Sequence, residues 1–234
     1  LKRSLFILLF ISLCSSIQCQ THVFLDVNGD TISKSYYMSK GRNKKLGLRA
    51  WSWHGAKRTQ FHKLYTGRYY RGYFEYGLIK RELEKLGSIQ VPDSSSIIIE
   101  YYYKDDLCSS EHKDNKWAAD EIRRRKSFLK PIKDSLNNKD IYFVALFENG
   151  LKLRNRPKSK DEYFFLDKNN FFRNNLFTTP TTCGSHAAIK PNGQTLIENG
   201  EQRADRFSSN LKDDIWPLFF QANTSKQDLS KKEN

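Results

Sequence analysis

The sequence predicts an α/β protein built on a mixed central sheet with helices on both faces. Two observations carry this. Residues 97–103 (IIIEYYY) and 141–147 (IYFVALF) are runs dominated by β-branched and aromatic residues, as expected of strands buried on both faces. A helical pattern over 116–136 lies between them, so the two strands form a parallel βαβ unit. Later, residues 186–190 and 194–198 flank Asn192-Gly193, which makes the closing pair an antiparallel hairpin.

The elements follow in order. Residues 1–20 (LKRSLFILLFISLCSSIQCQ) begin with Lys2 and Arg3, continue through an apolar run from Leu5 to Ile11, and end in a small and polar stretch. That is the layout of a signal peptide, with cleavage after Cys19, and the run is too short to span a bilayer. The chain opens on Leu1 rather than Met, which points to a start truncated or placed elsewhere. Residues 21–87 form an N-terminal aromatic extension. VFLDVNGDTIS reads as two short strands about Asn28-Gly29, and residues 48–53 alternate as a strand carrying Trp51 and Trp53. The segment from Thr66 is expected to be helical, with Leu78, Ile79, Leu83 and Leu86 on one face and Gly87 ending it.

Residues 88–221 hold the central sheet. In the 116–136 helix the inward positions are Trp117, Ile122, Leu129 and Ile132, with Pro131 as a kink or break. Asn149-Gly150 ends the second strand. YFFLD and a short aromatic helix, NNFFRNNLF, occupy 163–177, and residues 203–211 form a last short helix. Residues 222–234 are polar and expected to be disordered. No internal repeat is evident.

Formal net charge is +14; without Lys2 and Arg3, 38 basic residues face 26 acidic ones, about +12. A basic exported protein is biased toward anionic envelope or surface material, and export makes nucleic acid a poor partner. A contiguous Lys/Arg face beside exposed Trp51, Trp53 or Tyr69 would favour such binding. Asp26-Val27-Asn28-Gly29-Asp30 has the start of a calcium loop, but Tyr37 stands where the bidentate acid is required, so the hairpin reading is preferred. No nucleophile elbow, Gly-rich phosphate loop or HExxH is present, which argues against common hydrolases and nucleotide enzymes. No cofactor is expected.

With these elements placed, SIIIEYYYKDDLC, Thr179-Pro180 and AAIKPNGQTLIENGE together resemble a thioredoxin-like fold over residues 88–218. The tyrosine-rich strand, the acidic loop ending in one cysteine and the late Cys-Gly-Ser also resemble exported proteins of the Bacteroidetes type. The resemblance places Cys108 at the nucleophile position and Pro180 at a cis-proline ahead of the third strand. One departure matters: Glu111 occupies the place of the second cysteine of a CxxC motif, so exchange through that loop is not available.

Outside residues 1–20 only Cys108 and Cys183 remain, and several chemistries compete for them. The resemblance brings their two loops to one end of the sheet, which suits a structural disulfide; closing the loop would contribute about 4 kcal/mol. The same pair could cycle, with Cys108 attacking and Cys183 resolving as a thiol-disulfide oxidoreductase toward a thiol or disulfide protein partner. The acids Asp105, Asp106 and Glu111 oppose that by disfavouring a thiolate. Cys108, His112, Cys183 and His186 have the residue types of a zinc or copper site. Free thiols complete the alternatives. The reading preferred is a non-enzymatic binding or envelope-maintenance role with a Cys108–Cys183 disulfide.

Overall fold

The computed structural model describes residues 20–87, 89–108, 115–155 and 161–220. Residues 1–19 of the expected signal peptide, Glu111, His112 and the 222–234 tail lie outside them.

The two apolar runs pair as expected. β6 (Ser96–Tyr102) and β8 (Ile141–Glu148) are adjacent and parallel, with Ile98 opposite Phe143 and Tyr101 opposite Leu146. They are joined through α3 (Ala119–Asn137), which buries Ile122, Leu129 and Ile132; Trp117 is buried just ahead of it in the short strand β7 (Lys116–Trp117). The helix continues through Pro131 rather than breaking there. The proline removes one backbone N–H, and the apolar stripe on either side keeps both halves docked. The Glu121 carboxylate accepts the Ala118 N–H at the start of the helix, satisfying one of the donors a helix leaves unpaired.

β9 (Lys152–Leu153) pairs with β7 outside the large sheet. β10 (Phe164–Asp167) and α4 (Phe171–Asn175) follow, then the antiparallel hairpin of β11 (Ser185–Ile189) and β12 (Gln194–Asn199). β11 lies antiparallel against β6. The chain ends in α5 (Ala204–Phe207), a 3-10 turn (Ser208–Leu211) and α6 (Trp216–Phe220). This is a thioredoxin-like arrangement: a parallel pair, an antiparallel closing hairpin, and helices on both faces. Alternate residues of β6 point into two cores. Ile97, Ile99 and Tyr101 pack with α2 (Tyr76–Glu84) and α4, and Ile98 packs with α3, α5 and α6.

The sheet has six strands in the order β10-β8-β6-β11-β12-β5, where β5 is Tyr69–Tyr73. The expectation of a helix from Thr66 is corrected here. Tyr69–Tyr73 is a strand paired antiparallel with β12, and helix begins only at Tyr76. Alternating YYRGY fits either state locally; the exposed edge of β12 supplies the hydrogen bonds that decide it.

The N-terminal residues form a second, four-stranded sheet in the order β2-β1-β4-β3. β1 (Thr21–Leu25) and β2 (Thr31–Ile32) make the Asn28-Gly29 hairpin, with the Asp26 side chain accepting the N–H groups of Asn28, Gly29 and Asp30. α1 (Lys34–Arg42) follows, capped by Ser33. β3 (Arg49–His54) and β4 (Thr59–Tyr65) complete the sheet. Trp51 and Trp53 on β3 pack against the core of the large sheet. Ala50 accepts the Thr182 N–H at 2.8 Å, and Arg49 Nε donates to the Asn199 carbonyl at 2.7 Å.

Candidate functional site

The site lies where β6 ends. After Tyr102 the chain leaves the sheet and reaches Cys108 within six residues, while Cys183 sits in the turn that feeds β11, the strand beside β6. The two cysteines are bonded: S–S is 2.01 Å and the Cα atoms are 4.9 Å apart, across 75 residues of sequence. Cys108 is exposed and Cys183 half-buried.

Asp106 holds both ends of this bond. One carboxylate oxygen accepts the Cys108 N–H at 2.9 Å and the other accepts the Cys183 N–H at 2.9 Å. Burial pushes the Asp106 carboxyl up to about 6, against the pull of those N–H donors. The turn needs unusual backbone. Cys183 has φ 69° and Gly184 φ 81°, and a Cβ on Gly184 would stand 2.6 Å from the Tyr101 carbonyl oxygen.

The turn is fixed from below by a polar cluster. Tyr103 Oη donates to the Thr179 carbonyl at 3.1 Å and lies 2.9 Å from Ser185 Oγ. Thr181 Oγ1 donates to the Gly184 carbonyl at 3.1 Å and accepts the Gly200 N–H at 2.9 Å.

Pro180 stands three residues before Cys183, but its peptide bond is trans; no described residue has a cis bond. The expected cis-proline is corrected. The reversal is made by the left-handed pair Cys183-Gly184, so the chain can turn into β11 with an ordinary Thr179-Pro180 link.

The cysteine–histidine metal alternative is also corrected. Both sulfurs are consumed in the disulfide, so neither is a thiolate ligand, and His112 lies outside the described residues. His186 is buried in β11 between its cross-strand neighbours Glu100 and Glu198. Its Nε2 is 3.8 Å from Glu100 Oε2, beyond hydrogen-bond reach.

The disulfide and Asp106 line the floor of an open cleft of about 620 Å³. Its walls include Trp117, Arg124 and Phe128 from β7 and α3, and Arg203 and Arg206 from the α5 region. Phe128 is 44% exposed, with the Arg125 and Arg203 guanidinium groups 5.1 and 5.7 Å from its ring centre. Arg124 pairs with Asp120 at 2.8 Å and Arg203 with Asp205 at 2.7 Å. Arg125 is committed inward: its Nε donates to Tyr102 Oη at 2.6 Å and its terminal nitrogen pairs with Glu100. Burial pushes the Glu100 carboxyl up, but Arg125, and after it His186 and Tyr102, outweigh burial and hold the group down at about 2.

Two features escaped the sequence reading. Asp106 was visible only as one acid among three near Cys108; nothing local marks it as the group that brackets both cysteines. The Glu100–Arg125 pair did leave a signal, because a lone acid in the run IIIEYYY requires a buried partner, and the Arg123-Arg124-Arg125 triplet is the nearest basic cluster. Of the aromatics proposed for an anionic surface, Trp51 is buried and Trp53 is stacked on Phe61, leaving Tyr69, over which Arg68 lies at 5.1 Å.

No family model matches this chain, and no curated protein matches it. Among solved structures, it is similar to the exposed lipoprotein thioredoxin Etrx1 of Streptococcus pneumoniae, at 11% identity and TM-score 0.32, over 70% of this chain and 98% of that one. It is similar to the N-terminal domain of PilB from Neisseria gonorrhoeae at 14% identity and TM-score 0.33, over 55% and 84%. A candidate thiol-disulfide oxidoreductase of Bacteroides vulgatus matches at 12% identity and TM-score 0.31, over 72% and 88%. At such scores the fold assignment rests on strand order and direction in this chain. No described helix is long and apolar enough to cross a membrane.

Proposed function

We propose that this is an exported thioredoxin-like binding protein in which the Cys108–Cys183 bond is structural and the cleft above it takes an anionic surface ligand. The observation that carries the reading is Asp106. A carboxylate hydrogen-bonded to the N–H groups of both cysteines places negative charge beside the sulfurs, which disfavours the thiolate a redox cycle needs. Arg124, Arg203 and Arg206 beside exposed Phe128, in a lining that also carries Glu121 and Glu201, give the cleft mouth guanidinium and aromatic groups suited to carboxylate or phosphate groups on a larger scaffold. Export rests on the charged, apolar and polar layout of residues 1–20.

A second reading, a thiol-disulfide oxidoreductase with Cys108 attacking and Cys183 resolving, is favoured by one observation: Cys108 is exposed at the cleft. One pair of experiments separates the two. The binding reading expects no acceleration of insulin reduction by dithiothreitol and retention on immobilised heparin that falls in an Arg124→Ala/Arg206→Ala variant. Catalysed insulin reduction that disappears in Cys108→Ser would install the second reading instead.

A further inference from the structure

The N-terminal sheet has an outward face that the cleft does not use. Cross-strand partners share a face, so His22, Gln60 and His54 form one row, and Phe24, His62 and Ser52 form the next. The opposite face carries Trp51 and Trp53, which pack on the main core. Three of the chain's five histidines therefore stand together on the side turned away from that core.

Two of them already meet. His22 Nδ1 is 3.0 Å from His62 Nε2, with the ring planes within 19° of each other. On its far side, His62 Nδ1 is 2.8 Å from Ser52 Oγ. Phe24 stacks on the His62 ring at 4.7 Å, and Tyr37 meets it edge-on at 6.1 Å. The His62 ring is thus held in place, with one nitrogen anchored and the other presented to an exposed imidazole.

We propose that His22 and His62 form a binding site for a divalent transition ion of imidazole preference, such as Zn(II), Cu(II) or Ni(II), completed by His54. If His62 donates its Nδ1 proton to Ser52, its Nε2 lone pair is free to ligate. The proton on His22 Nδ1 then moves to its solvent-side Nε2, which frees the Nδ1 lone pair to ligate. Metal–nitrogen bonds of 2.0–2.1 Å at a tetrahedral angle need the two nitrogens about 3.3 Å apart, a few tenths of an ångström beyond their present spacing. Exposed His22 supplies that shift. Among the described residues no three ligand side chains stand ready in coordinating geometry, so His54, which is exposed one diagonal step from His62, must rotate inward. Ser52 serves as the outer group that orients His62.

The test is titration of the metal-free, disulfide-intact full chain with Zn(II), then Ni(II) and Cu(II), by calorimetry at neutral pH. One ion per chain at micromolar affinity or tighter is expected. His22→Ala and His62→Ala should each weaken it at least tenfold, His54→Ala several-fold, and Ser52→Ala by roughly tenfold. His22 is exposed, so its variant tests the site without risk to the fold. A His22→Ala chain with unchanged melting and unchanged Zn(II) affinity would overturn the proposal, as would the absence of binding by the parent chain. His54→Ala with parental affinity would overturn the three-ligand site.

Discussion

The Asp106 carboxylate accepts the backbone N–H of Cys183, 77 residues further along the chain, at 2.9 Å. Its other oxygen takes the N–H of Cys108, so one side chain sets the approach of both halves of the disulfide. Four predictions extend from this site and its supports.

Removing the bond should cost stability. Cys108→Ser and Cys183→Ser, measured by urea unfolding, should each lose about 4 kcal/mol, and to a similar extent, because either change opens the same 75-residue loop. Titratable thiols at Cys108 and Cys183 in the non-reduced native protein, or unchanged melting of either variant, would contradict a structural bond.

Asp106 should give stability an unusual pH slope. Its folded pKa is raised to about 6 from a usual 3.8, so the folded state keeps the proton longer than the unfolded chain. This contribution is fully present below about pH 4 and is lost as pH rises through 6, a change on the order of 3 kcal/mol. Asp106→Asn, followed by denaturant unfolding at several pH values, should flatten the slope between pH 4 and 6.

Glu100 has the opposite sign. Its folded pKa is held at about 2, below the usual 4.5, so its stabilisation is present above pH 4.5 and fades as pH falls through 2. Arg125→Ala should cost about 3–5 kcal/mol near neutrality, since it strands a buried carboxylate. Adding Glu100→Gln to Arg125→Ala should recover part of that loss; a double variant less stable than Arg125→Ala would contradict the pairing.

Gly184→Ala should destabilise by about 1–3 kcal/mol. The added Cβ meets the Tyr101 carbonyl at 2.6 Å in a residue with φ 81°. Since Gly184 follows Cys183, a larger free-thiol fraction after oxidative refolding should accompany the loss of melting temperature.

The sequence determined the centre of the fold. The runs at 97–103 and 141–147 are apolar on both faces apart from Glu100, which marks interior strands, and the helix between them made them parallel. Asn28-Gly29 and Asn192-Gly193 fixed two hairpins through turn chemistry alone, which acts over a few residues. Tertiary structure decided whatever depended on a distant partner. Tyr69–Tyr73 became a strand because β12 had an open edge. The turn into β11 is made by the left-handed backbone of Cys183 and Gly184, with Pro180 trans. Asp106 gained its place because two loops 77 residues apart converge on its two oxygens. His22 and His62 face one another only because β1 lies parallel to β4 in one register. Hydrophobic period and turn propensity are local and can be read along the chain; hydrogen-bond partners across strands arise only once the chain has closed on itself.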